Sequence, residues 1–277
     1  GGARIIINAQ RSRGVTAAVS GFGVQVPDPG IAGERALRLL ARPVPRQHLR
    51  NEADLPGFNA PDNTEVFFAP AGRGSGWEAE FGVQEAGAPE HFPELIECID
   101  HLNLAQPWQS FDESVLFYTS VLNLQALPGT EVPSPMGLVR SQVLATGDCA
   151  VRLALNIVPH GLEEAIDRNH EYPEHIAVRT SDIIALARNA VASGMEFLHI
   201  PANYYEDLAA RFDLDAQLLD TLQELNLLYD RDEHGQFLHF YTETIGNMFF
   251  EVVERRDGYD GYGAPNAPIR LAAQFER

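Results

Sequence analysis

The chain has 277 residues, and 45 % of them are hydrophobic, which suffices for one large domain or two ordinary domains with a buried core. Its 39 acidic and 20 basic side chains give a formal charge of −19, and a surface of this sign repels the phosphates of nucleic acids. No run of about 18 apolar residues occurs, and two cysteines are too few for a disulfide framework, so we expect a cytoplasmic protein without a membrane span.

The first 90 residues show the pattern of one small α+β unit. Runs of β-branched and aromatic residues predict strands at 5–8, 15–26 and 66–68. Apolar residues at helical spacing predict a helix over 30–41, which two prolines end. The segment 82–92, which contains glycine and proline, is the predicted linker to the rest of the chain. The order of strand, helix and further strands is that of a βαβββ module.

The same pattern then occurs twice more. The second occurrence has a strand, a helix and two strands, predicted at 96–104, 110–122, 137–144 and 149–157. The third occurrence includes a helical insertion and ends in two strands, with elements predicted at 175–180, 182–193, 197–200, 204–228, 237–242 and 248–254. Residues 91–277 therefore predict two βαβββ modules, whose sheets curl around a shared cavity.

Two histidines and one glutamate occupy matching places in these modules. His101 and His175 lie on the first strands of the second and third modules, 74 residues apart, and Glu251 follows 76 residues later on a last strand. A carboxylate on an apolar strand is costly unless it is paired or bound to a metal. Two imidazoles and one carboxylate form the facial triad of non-haem Fe(II) oxygenases, which leaves positions for substrate and O2. Each histidine taken singly is more typical of a surface or core residue, but the matching places favour a metal site.

Two further predictions concern residues near the triad. Glu254, three positions after Glu251, faces the other side of the strand and is expected to be a salt-bridged surface residue. Tyr259 and Tyr262 lie in a glycine-rich turn before a predicted helix at 267–275. Two exposed tyrosines before such a helix suit a hinged lid over a cavity, and an ordinary C-terminal tail is the alternative.

Several segments resemble 4-hydroxyphenylpyruvate dioxygenase and its relatives in the vicinal-oxygen-chelate superfamily. These segments are Asp100-His101-Leu102-Asn103, Glu174-His175-Ile176-Ala177, 201–208, 228–232, 249–255 and 258–266. The resemblance implies an α+β fold of repeated βαβββ modules that form curled sheets around a metal cavity. It also implies a degenerate N-terminal module at 1–90 and, at 91–277, a metal-binding domain of two modules with a C-terminal lid helix.

The resemblance extends to the chemistry of the site. It implies Fe(II) bound by His101, His175 and Glu251, with Mn, Co or Mg as alternative ions. It further implies that a 2-oxo acid chelates the metal before O2 activation, decarboxylation and ring hydroxylation. Six residues are expected to bind the substrate or form the lid: Ser141, Asn156, His239, Tyr241, Tyr262 and Asn266. His239 and Tyr262 are the expected catalytic residues, because His239 would contact or protonate the substrate and Tyr262 would close the lid.

The chain departs from the family within the substrate pocket. His239 stands where family members usually carry Gln, and Tyr241 stands where they usually carry Phe. The Ser-Gln-Ile segment that they place between the strand ending near Asn156 and the second histidine is not recognisable here. Since those glutamines orient the aromatic substrate, the departures bear on the substrate and leave the metal ligands intact.

A further resemblance concerns bacterial proteins that fuse a 3-dehydroshikimate dehydratase TIM barrel to a region of this family. The segment 237–243 and the abrupt start of the sequence suggest that the chain is a fragment of such a fusion. We expect a metal-dependent dioxygenase that acts with O2 on a small aromatic or cyclic carboxylate, in a homo-oligomer. The alternative is a non-catalytic region of the fusion that binds metal and ligand, supports assembly or senses a carboxylate.

Overall fold

The computed structural model describes residues 2–8, 16–45, 53–72, 95–135, 137–157 and 173–275. The linker predicted at 82–92 and the boundary near residue 90 lie outside the described residues, so the division into two domains remains a prediction. The described chain repeats one arrangement three times, in which the first strand of a module pairs in parallel with its last strand.

The first module forms a four-stranded sheet of its own. Its elements are β1 (Gly21–Val26), α1 (Pro29–Arg38), β2 (Arg42–Pro43), β3 (Gly57–Asn59) and β4 (Glu65–Pro70). The strands have the order β1-β4-β3-β2. Helix α1 begins after Asp28, whose side chain accepts a hydrogen bond from the Ile31 N–H and so satisfies one free donor of the first turn.

The strand predicted at 5–8 is wrong. Residues 2–8 have no regular secondary structure, and the side chains of residues 5–7 are exposed. One backbone hydrogen bond, from the Gly2 N–H to the Glu97 carbonyl, joins this segment to the main sheet. β-branched residues favour a strand only where a neighbouring strand pairs with them, and none does so here among the described residues.

The second and third modules share one nine-stranded sheet. The second contains β5 (Ile96–Gln106), α2 (Phe111–Val121), β6 (Gln125–Ala126), β7 (Thr130–Ser134), β8 (Gly137–Ala145) and β9 (Arg152–Ile157). The third contains β10 (Glu174–Thr180), α3 (Ile183–Ala192), α4 (Ala202–Arg211), α5 (Ala216–Glu224), β11 (Leu228–Arg231), β12 (Gln236–Tyr241) and β13 (Met248–Arg256). A 3₁₀ turn (Ala264–Asn266) and helix α6 (Ala267–Phe275) follow.

The centre of this sheet is formed by the first strands of the two modules. The strand order is β11-β12-β13-β10-β5-β9-β8-β6, with β7 paired to β8. β5 and β10 run antiparallel to each other, and each pairs in parallel with the last strand of its own module. The mixed sheet curls into a half-barrel, as the sequence predicts. Side chains that point to its inner face from β5, β10 and β13 therefore converge.

Helix α2 packs against both sheets. In one apolar cluster Val66 of the first module meets Leu104 of β5 and Tyr118 of α2, and Tyr118 has no exposed surface. The Arg35 side chain donates to the Val121 carbonyl at 2.8 Å. Burial of these large side chains outside the curled sheet fixes the outer face of β5. The opposite face of β5 carries the polar residues His101 and Asn103.

The region between α3 and β12 differs from its prediction in two places. The strand predicted at 197–200 is reduced to an isolated bridge between Phe197 and Thr242. The helical segment predicted at 204–228 is two helices, and its last residue already belongs to β11. Asp215 caps the second helix by accepting from the Gln217 and Leu218 N–H groups, so the chain restarts a helix there. Within the described residues, no helix is both long and apolar enough to cross a membrane.

Candidate metal centre

Three buried side chains meet on the inner face of the central strands. His101 Nε2 and His175 Nε2 each lie 3.1 Å from Glu251 Oε2, and the two nitrogens are 3.2 Å apart. The three side chains are 4 %, 5 % and 2 % exposed. Among the described residues, these three form the group whose potential ligand atoms lie close enough together to hold a metal ion.

Strand register explains this convergence. Ala177 on β10 pairs with His101 on one side and with Glu251 on the other. Paired residues of neighbouring strands point to the same face, so both long side chains project beside the fully buried Ala177. His175, two residues earlier on β10, points to the same face. Because the Ala177 side chain is only a methyl group, the three ligand atoms can meet over it on the inner face of the sheet.

An irregularity in β5 brings Asp100 to the same face as His101. Consecutive residues of a strand normally point to opposite faces. Between β5 and β10 the pairing shifts at this point, from Ala177 with His101 to Val178 with Ile99, so Asp100 is the extra residue of a bulge. Its carboxylate contacts His101 Nδ1 at 2.9 Å. This contact fixes the imidazole with its Nε2 lone pair directed at the candidate metal position.

Asp100 also connects the site to the C-terminal segment. Its two oxygens accept from Arg255 Nε and Nη2 at 2.9 and 2.8 Å, and the pair is almost completely buried. Arg255 Nη1 donates to the Gly261 carbonyl at 2.6 Å. The ring of Tyr262 packs edge-on against the ring of His101, with centres 5.4 Å apart. One arginine thus holds a metal-ligand partner and the start of the C-terminal segment together.

His239 supports Glu251 from the other side. Its Nδ1 lies 2.7 Å from Glu251 Oε1, the oxygen that does not face the two ligand histidines. Its Nε2 lies 3.0 Å from Asn266 Nδ2, and Asn266 Oδ1 accepts from the Tyr204 hydroxyl. His239 is fully buried, so both ring nitrogens are engaged within the protein. Its direct contact with a substrate remains a prediction.

Burial and hydrogen bonds shift the titration of the three side chains in different directions. Burial alone would lower the pKa of His101, but hydrogen bonds with Asp100 and Glu251 raise it to about 9. Burial lowers the pKa of His175 to about 4, against the effect of Glu251. Burial would raise the pKa of Glu251, but hydrogen bonds from three histidines hold that pKa well below its usual range. The carboxylate is therefore ionised, and a cation can replace the proton that His101 shares with it.

The spacing of the donor atoms fits a divalent ion. Three ligands at right angles around an octahedral ion, with bonds of about 2.1 Å, lie about 3.0 Å from one another. Tetrahedral angles with the same bond length give about 3.4 Å. The two observed separations of 3.1 Å lie closer to the octahedral value, and the separation of 3.2 Å lies midway between the two values. Two imidazoles and a carboxylate are also a donor set that divalent iron accepts.

The other residues predicted to bind the substrate are buried to different degrees. Tyr241 is buried, and its ring centre lies 6.3 Å from that of His175. Ser141 and Asn156 pair across β8 and β9, and the buried Oδ1 of Asn156 has no partner among the described residues. Asn266 is fully buried against His239. These substrate roles remain predictions.

Two expectations about exposed side chains are wrong. Tyr259 is 5 % exposed, and its hydroxyl donates to Asp230 at 2.6 Å, because the C-terminal turn packs onto the sheet. Tyr262 is partly buried, and its hydroxyl is enclosed. Glu254 faces away from Glu251 and forms the predicted salt bridge, with Arg256 Nε 2.5 Å from its Oε1, but it is buried and not on the surface. Its other oxygen accepts from the Ile183 N–H at the start of α3. A carboxylate there is stabilised by the positive end of the helix.

Comparisons with known proteins place this geometry in a family. Residues 99–240 match the model of the Glyoxalase/Bleomycin resistance protein/Dioxygenase superfamily. The chain is 38 % identical to a 3-dehydroshikimate dehydratase of Pseudomonas aeruginosa over 91 % of its length, and 35 % identical to one of Pseudomonas putida over 90 %. It spans 40 % of the length of each of these relatives. A 4-hydroxyphenylpyruvate dioxygenase of Sus scrofa is 29 % identical over 62 % of this chain and 47 % of its own.

Two solved structures share this fold. A fusion of a xylose isomerase-like TIM barrel with 4-hydroxyphenylpyruvate dioxygenase superposes with a TM-score of 0.76 and 33 % identity, over 94 % of this chain and 42 % of that chain. A mutant of 4-hydroxymandelate synthase from Streptomyces coelicolor shares the fold, with a TM-score of 0.70 and 18 % identity over 94 % of this chain and 77 % of that one. The chain therefore belongs to the Glyoxalase/Bleomycin resistance protein/Dioxygenase superfamily, in which its relatives include 4-hydroxyphenylpyruvate dioxygenases and a TIM-barrel fusion.

Proposed function

We propose that this chain is a metal-dependent dioxygenase that holds Fe(II) through His101, His175 and Glu251 and acts on a small aromatic or cyclic carboxylate. The observation that carries the proposal is the convergence of three ligand atoms within 3.2 Å on the inner face of the sheet. The kinship with 4-hydroxyphenylpyruvate dioxygenases supports the reaction class. Mn, Co and Mg are alternative ions for the same ligands.

The ligand residues and their partners would each have a defined task. A bound Fe(II) ion would supply O2 activation and polarise the oxygens of a chelating substrate. Glu251 contributes the negative charge of the ligand set. Asp100 holds His101 in the orientation that directs Nε2 inward, and His239 holds the second oxygen of Glu251. These partners keep the three ligand atoms in place before any ion arrives.

The C-terminal segment would exclude water and complete the pocket. The Tyr262 ring covers His101, and Asn266 is fixed by hydrogen bonds to His239 and to the Tyr229 carbonyl. Asn156 Oδ1 is a buried acceptor without a partner among the described residues, which suits contact with a substrate hydroxyl. We assign a substrate contact to Asn156 on this basis, and to Ser141 and Tyr241 from their resemblance to pocket positions of the family.

Oxygen uptake tests the proposal. The protein is reconstituted anaerobically with Fe(II), and O2 consumption is followed with 4-hydroxyphenylpyruvate and, separately, with 3-dehydroshikimate. We expect uptake that requires Fe(II) and one of these substrates, and no uptake by the His101→Ala variant, because loss of one imidazole opens the ligand set. Equal uptake by wild type and His101→Ala would contradict the proposal.

The additional length of two relatives favours a second function. Two relatives that match 90 % and 91 % of this chain are 3-dehydroshikimate dehydratases, and more than half of their length lies outside the match. A chain of this kind could bind metal and a carboxylate ligand without turnover, as a sensing or assembly region of a fused or associated TIM barrel. One metal ion per chain with ligand-induced stabilisation but no O2 uptake would select this function. The homo-oligomeric state and the cytoplasmic location remain predictions.

A further inference from the structure

A buried arginine lies beside the candidate metal centre. Arg270 on α6 is 6 % exposed. Its guanidinium carbon lies 5.8 Å from the ring centre of Tyr241 and 5.6 Å from that of Phe249. The ring centres of these two residues lie 6.3 and 4.9 Å from that of His175. One layer of aromatic side chains therefore separates the guanidinium from a candidate metal ligand.

The side-chain partner of the Arg270 guanidinium is a neutral amide. Arg270 Nη1 donates to Gln274 Oε1 at 2.7 Å, and no carboxylate among the described residues forms an ion pair with this arginine. Gln274 lies one helical turn further along the same face of α6. Its Nε2 is buried and has no partner among the described residues. This amide therefore lacks an acceptor, and it lies beside a guanidinium with which no carboxylate of the described residues is paired.

The physical chemistry of a buried guanidinium defines that acceptor. Transfer of a charged group out of water is costly unless the charge is paired, and stacking on two aromatic rings offsets only part of that cost. A guanidinium presents N–H groups in a planar fork that matches a carboxylate through two parallel hydrogen bonds. An anionic oxygen ligand at this position would pair the charge and satisfy the amide together.

We propose that Arg270, assisted by Gln274, binds the carboxylate of a ligand whose other end coordinates the metal. The inference rests on the proposed function and narrows its substrate class. Such a ligand would have adjacent oxygens at one end of a six-membered ring and a carboxylate at the other, and would reach Arg270 past the rings of Tyr241 and Phe249. Arg270 would then determine specificity for ring carboxylates over their uncharged analogues.

Binding to the Co(II)-loaded protein tests the proposal without turnover. The probes are 3,4-dihydroxybenzoate and its uncharged amide, 3,4-dihydroxybenzamide, which share the same adjacent oxygens. Their dissociation constants are measured from the change in the Co(II) absorption spectrum. We expect wild type to bind the carboxylate roughly 10- to 100-fold more tightly than the amide, the range given by a charge-assisted hydrogen-bonded pair. The Arg270→Gln variant should lose this preference and keep its affinity for the amide.

Two further variants make the result specific. Arg270→Lys keeps the charge without the fork and should retain part of the preference, while Arg188→Gln, at an exposed site on α3, should retain all of it. Equal binding of both probes by wild type, or an unchanged preference in Arg270→Gln, would overturn the inference. Failure of both probes to bind a Co(II)-loaded protein would overturn the inference and leave the metal centre standing. Failure to bind Co(II) would remove the metal centre and the inference together.

Discussion

The Glu251→Gln variant is expected to lose stoichiometric binding of a divalent metal. Its amide oxygen can still accept from His239 Nδ1, which lies 2.7 Å from Glu251 Oε1. The amide nitrogen would then face His101 and His175, and an NH₂ group offers no lone pair to a cation. Loss of a direct ligand should exceed the roughly 100-fold loss of affinity that removal of an outer partner causes. Calorimetric titration with Co(II) or Mn(II) measures the change.

The matched control for this variant lies on the same strand. Glu254 is buried like Glu251 but faces α3, where it accepts from the Ile183 N–H. Glu254→Gln is therefore expected to bind metal with wild-type affinity, whatever it does to stability. Wild-type affinity in Glu251→Gln, or equal losses in the two variants, would mean that Glu251 is not a metal ligand.

The Asp100→Asn variant should unfold much more easily than wild type. Asp100 pairs with Arg255 through two hydrogen bonds in a site where both side chains are at least nine-tenths buried. Removal of one partner leaves a buried charge unpaired, which costs about 3–5 kcal/mol of unfolding free energy. Asp207→Asn, in an exposed pair with Arg211, should change the same quantity by no more than about 1 kcal/mol. Urea unfolding of the metal-free proteins gives both values.

The effect of Asp100→Asn should depend on pH. Burial would raise the pKa of Asp100, but hydrogen bonds with Arg255 and His101 hold it well below its usual range. A depressed pKa means that the folded state favours the ionised form, so the carboxylate stabilises the protein above its unfolded pKa of about 3.9. The difference between wild type and variant should be full near neutral pH and decline as pH falls below that value. A difference that grows in acid would contradict this assignment.

The repeated pattern of the sequence predicts the fold and the triad for the same reason. Equal modules place His101 and His175 at the same point of their first strands, and those strands pair at the centre of the sheet. Alternation along a strand then predicts that Glu251 and Glu254 face opposite sides. The degree of burial of Glu254 could not be predicted, because it depends on α3 packing behind β13.

The partners of the triad could not be predicted by the same rules. Alternation places Asp100 on the face opposite His101, and only the bulge in β5 reverses this. The contact between His239 and Glu251 depends on the register of β12 with β13, which the sequence does not specify. Arg270 did carry a signal, since it is a charged residue between apolar neighbours on α6, but its position beside Tyr241 depends on how that helix docks.

The most direct test of the central claim is the position of the ion in a crystal of the protein loaded with Fe(II) or Co(II), located by anomalous scattering. We predict one ion per chain, bound at about 2.0–2.3 Å by His101 Nε2, His175 Nε2 and Glu251 Oε2, with water in the remaining positions. An ion bound elsewhere, a fourth protein ligand that closes the open positions, or no ion at these three atoms would contradict it.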